Sequence, residues 1–189
     1  MPYYLYLEVQ DKVGKKLRDF WAFLKQGVLK KHIPDLSSLM FPPHITLMGR
    51  FENTEEELKV FIQDIKKTFS GNCNEIKDFR FVRSDKFMGV YFDQKELSDK
   101  MKLLKEKYPD RMTITEDFHL TLVHSPKPIS EKSLQKLEGI INSFLDSLKF
   151  SIVLWHYTET PGDYSWEKRR WEKILVIPYS KSDLSDSKK

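Results

Sequence analysis

Two short segments of the chain combine a histidine and a threonine in the same pattern. Each segment reads His, apolar, Thr, apolar, once at His44–Leu47 and once at His119–Leu122. Alternate side chains of a strand share a face, so each segment predicts a strand that holds its imidazole and hydroxyl on one side. Ile45 and Leu120 would then anchor the opposite side in the core. Because the pattern occurs twice, 75 residues apart, it predicts that both strands contribute to one functional site.

Two imidazoles and two hydroxyls suit acid–base chemistry on a phosphate ester. Histidine has an unperturbed pKa of about 6.5, so one imidazole can be neutral while the other is protonated. Such a pair supplies a general base and a general acid across one reacting centre. A threonine hydroxyl beside each histidine can donate a hydrogen bond to a non-bridging phosphate oxygen. The pattern therefore fits hydrolysis or cyclisation of a phosphodiester without a metal ion.

Other kinds of site fit the two segments less well. Metal ligation is a rival, but neither predicted strand carries an Asp, Glu or Cys at ligand spacing. A nucleophile triad is weaker, since the sequence has no nucleophile elbow and its one cysteine, Cys73, stands in a polar segment. With 7 glycines and no Gly-rich loop, a dinucleotide or P-loop fingerprint is unsupported. A binding module without catalysis stays open, although binding alone does not require two titrating imidazoles.

The two segments and their place in the chain resemble the two-histidine (2H) phosphoesterase superfamily. The resemblance extends over most of the chain, from Pro2 to Tyr179. It implies chemistry that needs neither metal nor cofactor. It also implies that His44 and His119 are the catalytic acid–base pair, and that Thr46 and Thr121 hold the phosphate of the substrate.

Within that superfamily the compact chain looks most like a cyclic phosphodiesterase or an RNA ligase-like phosphodiesterase. The implied reaction is hydrolysis of a 2′,3′-cyclic phosphate on a nucleotide or an RNA end. The nearest alternative is a 2′,5′-phosphodiesterase or another RNA-end enzyme. The expected partner is therefore a nucleotide or short RNA with a 2′-linked phosphate, and not DNA, bound by a monomer.

Hydrophobic periodicity predicts an α+β fold of two similar lobes. The first half reads strand, helix, strand with a histidine, helix, strand, and the second half repeats that order. Together with the resemblance, this implies antiparallel sheets around a central cleft with helices outside, in one domain over residues 1–179. Residues 180–189 contain Ser, Lys, Asp and one Leu, which predicts a disordered polar tail.

Local signals predict several element boundaries. The apolar spacing indicates an amphipathic helix over Lys12–Lys31 and a later helix that includes Leu148. Thr54 and Glu57 form the pattern of a capping box at the start of a further helix.

Aromatic and basic residues outside the two segments are further candidates for ligand contacts. Tyr91 and Tyr157 are the preferred substrate-binding candidates, because aromatic rings stack on nucleobases. The weaker aromatic candidates are Phe87, Trp155 and Trp166. The basic candidates for phosphate contacts, each more typical of a solvated surface, are Arg50, Lys86, Lys168, Arg169 and Arg170.

The remaining three histidines are interpreted as structural or surface residues. His32 precedes Pro34 and would cap helix carbonyls. His124 follows His119 by five residues, so a regular strand would turn it to the opposite face, which favours a structural position or one at the rim of the site. His156 stands between aromatic residues near a strand end, which favours a surface position.

Composition excludes several classes of protein. The 189 residues are 40% hydrophobic and 32% charged, which argues against a disordered chain, and no stretch of 18 apolar residues could span a membrane. The formal net charge of +4 allows a phosphate-bearing ligand but does not predict a DNA-coating surface. A single cysteine and the lack of a signal peptide predict a cytoplasmic or nuclear protein.

Overall fold

A computed structural model describes residues 2–26, 42–70, 79–92, 94–109, 118–124, 128–145, 148–158 and 170–178 of the chain. Seven strands and four helices lie in these ranges. The strands are β1 (Pro2–Val9), β2 (His44–Glu52), β3 (Phe79–Arg83), β4 (Phe87–Phe92), β5 (Phe118–His124), β6 (Phe150–Thr158) and β7 (Arg170–Pro178). The helices are α1 (Asp11–Gln26), α2 (Glu55–Phe69), α3 (Lys95–Lys107) and α4 (Glu131–Asn142). The predicted α+β class is confirmed.

The seven strands form one antiparallel sheet in the order β3-β4-β5-β2-β1-β6-β7. The first six strands in this order are symmetric about the boundary between β5 and β2. Across that boundary β5 corresponds to β2, β4 to β1 and β3 to β6. The last strand of each half of the chain pairs with the other half, since β3 lies beside β4 and β6 beside β1. The predicted duplication is therefore visible as a pseudo-twofold sheet, with β7 added at one edge.

Burial alternates over the two His-x-Thr segments of β2 and β5, as the sequence predicts. The aliphatic side chains Ile45, Leu47, Leu120 and Leu122 are at most 1% exposed and belong to the main core. The histidines and threonines between them are only half-buried. Apolar side chains of the four helices and of the neighbouring strands complete that core, so the motif strands are fixed from behind and present their polar side chains in front.

Each motif strand has a β-bulge directly after its threonine. The extra residue is Leu47 on β2, opposite the junction of Leu5 and Tyr6, and Leu122 on β5, opposite the junction of Met88 and Gly89. A bulge interrupts the alternation of side chains and changes the direction of the residues that follow. The two bulges occupy equivalent positions, which strengthens the pseudo-twofold relation between the halves.

The start of α2 follows its predicted cap, but the end of α4 differs from the predicted one. The Glu57 N–H donates to Thr54 Oγ1 at 3.3 Å and the Thr54 N–H donates to Glu57 Oε2 at 2.8 Å, which confirms the capping box. Helix α4 ends at Asn142, so the prediction that the helix includes Leu148 was wrong. Leu148 is nevertheless fully buried and belongs to the same main core.

Several predicted features lie outside the described residues. They are the end of the predicted helix beyond Gln26, His32, Cys73, Trp166, Lys168, Arg169 and the tail 180–189. Among the helices of the described ranges, none is long and apolar enough to cross a bilayer.

Candidate active site

The two motif strands meet at the centre of the sheet. Strands β2 and β5 pair in antiparallel register through Ile45 and Leu120, the middle residues of the two His-x-Thr segments. In an antiparallel pair, the residue that precedes Ile45 lies across from the residue that follows Leu120, and the residue that follows Ile45 lies across from the one that precedes Leu120. The pairing therefore brings all four polar residues of the two segments together.

These four residues line one pocket of about 340 Å³. That volume lies near the lower end of ligand pockets, which typically enclose about 300–1,000 Å³. The complete lining consists of Trp21, His44, Thr46, Phe87, His119, Thr121 and His124. The structure thus places the histidine and the threonine of each segment at the same cavity and adds three side chains from β4, β5 and α1.

His44 has a defined tautomer. Its Nδ1 lies 2.8 Å from the carbonyl oxygen of Pro42 and must donate to it, since a carbonyl only accepts. The Nε2 atom then carries the lone pair of the neutral ring. Burial is the main cause that lowers the pKa of His44 to about 4. The hydrogen bond to Pro42 raises this pKa, and the charge of nearby His119 lowers it further. The imidazole is consequently neutral at pH 7.

The ring of His119 lies between aromatic side chains of β4. Tyr91, its cross-strand partner, stacks on it with 5.0 Å between ring centroids and 21° between planes. Phe87 approaches edge-on, with centroids 5.9 Å apart. The guanidinium of Arg80 lies 5.5 Å from the Tyr91 ring centroid. Tyr91 therefore supports His119 from outside the pocket lining, rather than offering its ring to the cavity.

The surroundings of the two histidines break the pseudo-twofold symmetry. Tyr6, opposite Thr46, packs against His44 with 4.2 Å between ring centroids. The equivalent position opposite Thr121 is Gly89. A Cβ added there would lie 2.6 Å from Cζ of Phe87, so glycine leaves the space that the Phe87 ring fills.

The structure corrects the prediction for His124. Two residues of one regular strand five positions apart would face opposite sides, yet both His119 and His124 line the pocket. The reason is the bulge at Leu122, which shifts the alternation by one residue. The sequence signal was the pair of consecutive apolar residues Leu122-Val123, both fully buried, which interrupts the strict alternation of the motif.

Trp21 is the pocket residue that the sequence did not single out. The side chain is 4% exposed and belongs to the main core as well as to the pocket lining. Its Nε1 donates to the carbonyl oxygen of Leu122 at 2.9 Å. Trp21 therefore connects α1 directly to the bulge of β5. At helical spacing with Leu17 and Leu24 it was indistinguishable from an ordinary core residue.

The structure does not bring Tyr157 to the pocket. Its side chain is 1% exposed, with ring centroids 5.6 Å from Tyr4 and 5.0 Å from Trp171. Trp155 is likewise buried, and the ammonium group of Lys173 lies 4.9 Å from its ring centroid. Tyr157 and Trp155 thus belong to an aromatic cluster on β1, β6 and β7, away from the pocket lining.

His156 also lies away from the pocket. Its ring packs at 5.3 Å from Tyr3, on the side of the sheet that carries Phe51. Burial lowers the pKa of His156, while the charge of Glu172 raises it.

The basic candidates within the described residues also lie away from the pocket lining. Arg50 is exposed and pairs with Glu52 at 3.0 Å. Lys86 is exposed in the turn between β3 and β4, and Arg170 is exposed at the start of β7. In the described ranges, no three His, Cys, Asp or Glu side chains are grouped so that they could hold a metal ion.

Comparison with solved structures agrees with this architecture. No known family model and no curated protein sequence matches the chain. Escherichia coli LigT complexed with 3′-AMP matches with a TM-score of 0.50 and 11% identity, over 94% of this chain and 97% of LigT. A structure described as a phosphoesterase also matches, with a TM-score of 0.47 and 11% identity over 95% of this chain and 98% of that one. LigT complexed with phosphate matches with a TM-score of 0.47 and 12% identity over 95% of this chain and 98% of LigT. This chain shares the fold of LigT.

Proposed function

We propose that the chain is a phosphoesterase that hydrolyses a 2′,3′-cyclic phosphate on a nucleotide or an RNA end, without a metal ion, by acid–base catalysis. The observation that carries this proposal is the pairing of Ile45 with Leu120, which gathers two imidazoles and two hydroxyls around one pocket. The proposed catalytic unit is one domain over residues 1–179, in which each lobe supplies one histidine and one threonine.

The size and the lining of the pocket suit the phosphate end of a nucleotide. Its volume of about 340 Å³ is sufficient for a phosphate with part of a nucleoside. The hydroxyls of Thr46 and Thr121 are suited to donate hydrogen bonds to the non-bridging phosphate oxygens. E. coli LigT, which has the same fold, is complexed with 3′-AMP, and this favours the same class of ligand here.

In the proposed reaction His44 is the general base. With Nδ1 held by Pro42, its Nε2 is the nitrogen that can take a proton from water. The ring is neutral at pH 7 because burial lowers its pKa to about 4. A bound phosphate anion would raise that pKa, since an opposite charge favours the protonated imidazole. Substrate binding would therefore make His44 a stronger base at the moment of reaction.

His119 is the proposed general acid. Water attacks phosphorus, and its proton passes to Nε2 of His44. The bond from phosphorus to one ribose oxygen breaks, and that oxygen takes a proton from His119. The products are a phosphomonoester on the other ribose oxygen and a free hydroxyl. The two imidazoles exchange protonation states and recover them through solvent.

A substrate panel tests the proposal against its nearest alternatives. Purified protein is incubated with 2′,3′-cyclic mononucleotides, 2′,5′-oligoadenylate and RNA ending in a cyclic phosphate. The proposal expects the cyclic phosphates to be opened, and His44→Ala protein prepared in parallel to be nearly inactive. Cleavage of 2′,5′-oligoadenylate alone would favour the alternative 2′,5′-phosphodiesterase. Binding of these ligands without turnover would favour a noncatalytic module.

A further inference from the structure

Phe87 and His124 are cross-strand partners on β4 and β5, and both line the pocket. Phe87 is half-buried and His124 is exposed. Two local features determine their places. The bulge at Leu122 turns His124 toward the cavity, and Gly89 leaves room for the Phe87 ring. An aromatic ring and an imidazole therefore stand side by side at the pocket, next to the four motif residues.

This pair is present on only one side of the pseudo-twofold axis. The fifth residue after His119 is His124, whereas the fifth residue after His44 is Gly49. Gly89 lies opposite Thr121, and the Phe87 ring lies above it. The equivalent position opposite Thr46 is Tyr6, which packs on His44. A ligand bound between the threonines thus meets different groups on its two sides.

We propose that Phe87 and His124 form a nucleobase subsite, in which the base stacks on Phe87 and its polar edge hydrogen-bonds to His124. This inference rests on the proposed function. A general acid must stand at the departing ribose oxygen, so the nucleoside lies on the His119 side of the phosphate. Phe87 lies 5.9 Å from His119, between ring centroids, on that side. An imidazole nitrogen can donate to or accept from the edge of a base.

The test compares substrates with and without a base. The pair consists of a nucleoside 2′,3′-cyclic phosphate and methyl riboside 2′,3′-cyclic phosphate, and kcat/KM is measured for both. Wild-type protein is expected to prefer the nucleoside by about 10- to 100-fold, the usual contribution of stacking one base on an aromatic ring. Phe87→Leu should reduce this preference to about threefold or less, and Phe87→Tyr should keep it. His124→Ala should reduce it several-fold, and His124→Gln should restore part of it.

Matched controls separate the subsite from general damage. Phe23→Leu, at an exposed phenylalanine of α1, should leave both substrates unchanged. Thermal unfolding of every variant checks the fold. A preference that survives in folded Phe87→Leu and His124→Ala proteins would overturn the subsite while leaving the proposed function intact.

A binding measurement covers the case in which no substrate is hydrolysed. Adenosine 3′-monophosphate and ribose 3-phosphate are then compared by calorimetry. Tighter binding of the nucleotide that Phe87→Leu abolishes would support the subsite although the proposed function had failed. Equal binding of both ligands would overturn it.

Discussion

Ile45 of β2 and Leu120 of β5 are cross-strand partners, and each is the middle residue of a His-x-Thr segment. The pseudo-twofold axis of the sheet passes beside this pair, so the two histidines occupy equivalent positions. Their surroundings differ, because Tyr6 packs on His44 whereas Tyr91 stacks on His119. Equivalent residues in unequal surroundings are what a base and an acid on one substrate require.

The threonine hydroxyls are expected to contribute through hydrogen bonding rather than through packing. Thr46→Ser and Thr121→Ser keep the donor and should retain most of kcat/KM. Thr46→Ala and Thr121→Ala remove a donor to the phosphate and should reduce kcat/KM by about 10²-fold, as loss of one such donor usually does. Steady-state kinetics of the four variants checks this, and serine variants as inactive as the alanine variants would contradict it.

The acidic limb of the pH profile should lie unusually low. Burial holds the pKa of His44 at about 4, so the base of the free protein is already neutral above that pH. Because kcat/KM reports the free enzyme, it should rise as pH increases through about 4 instead of about 6.5. The acidic limb of kcat should lie at higher pH than that of kcat/KM, since the bound phosphate raises the same pKa. Profiles of kcat and of kcat/KM from pH 3.5 to 9 measure these two acidic limbs.

Two results would contradict this explanation of the pH profile. One is an acidic limb of kcat/KM near pH 6.5, which would mean that His44 is not the base or is not desolvated in solution. The other is identical acidic limbs in kcat and kcat/KM, which would mean that the substrate does not place its anion beside His44.

Trp21→Phe should destabilise the fold and disturb the pocket. The substitution keeps an aromatic ring in the core but removes the donor to the Leu122 carbonyl. A buried carbonyl that loses its partner costs about 1–3 kcal/mol, which chemical denaturation can measure. The bulge that orients His124 should loosen as well, so kcat/KM should also decrease. Unchanged stability would show that the Trp21 hydrogen bond does not support the bulge.

Chelation should leave the reaction unaffected. All the groups assigned to the reaction are imidazoles and hydroxyls. Dialysis against EDTA should therefore leave kcat/KM within about twofold of its starting value, since the groups of the protein supply the acid and the base. The measurement is turnover before and after dialysis, with added Mg²⁺, Mn²⁺ or Zn²⁺ as comparison. Activity that stops with EDTA and returns with one of these ions would instead indicate metal-activated water.

The pattern of the sequence was sufficient for the central strands but not for their irregularities. Ile45 and Leu120 stand between polar residues in a strict alternation, which predicted both the strands and the shared face of histidine and threonine. The bulges depend on how neighbouring strands pair, and a single strand does not record its partners. His124 was therefore assigned to the opposite face, although the buried pair Leu122-Val123 carried the signal.

The remaining side chains of the pocket depended on tertiary packing. Trp21 has the spacing of a core residue, and its additional position at the pocket follows from how α1 lies on the sheet. Tyr91 and Tyr157 are both aromatic residues on strands, and only the structure distinguishes the ring that stacks on His119 from the ring buried in a cluster. Strand pairing and helix packing thus decide which aromatic residues lie near the candidate site.

The central claim is that His44 and His119 act as one acid–base pair, and single-turnover hydrolysis of a 2′,3′-cyclic nucleotide tests it most directly. His44→Ala, His119→Ala and the double variant are compared with wild type, with His156→Ala as a control histidine and thermal unfolding as the check of folding. Each single variant should be slower by about 10²–10⁴-fold, and the double variant should lose less than the product of the two. His156→Ala should retain the wild-type rate. A well-folded His44→Ala or His119→Ala protein with a near-wild-type rate would contradict the claim.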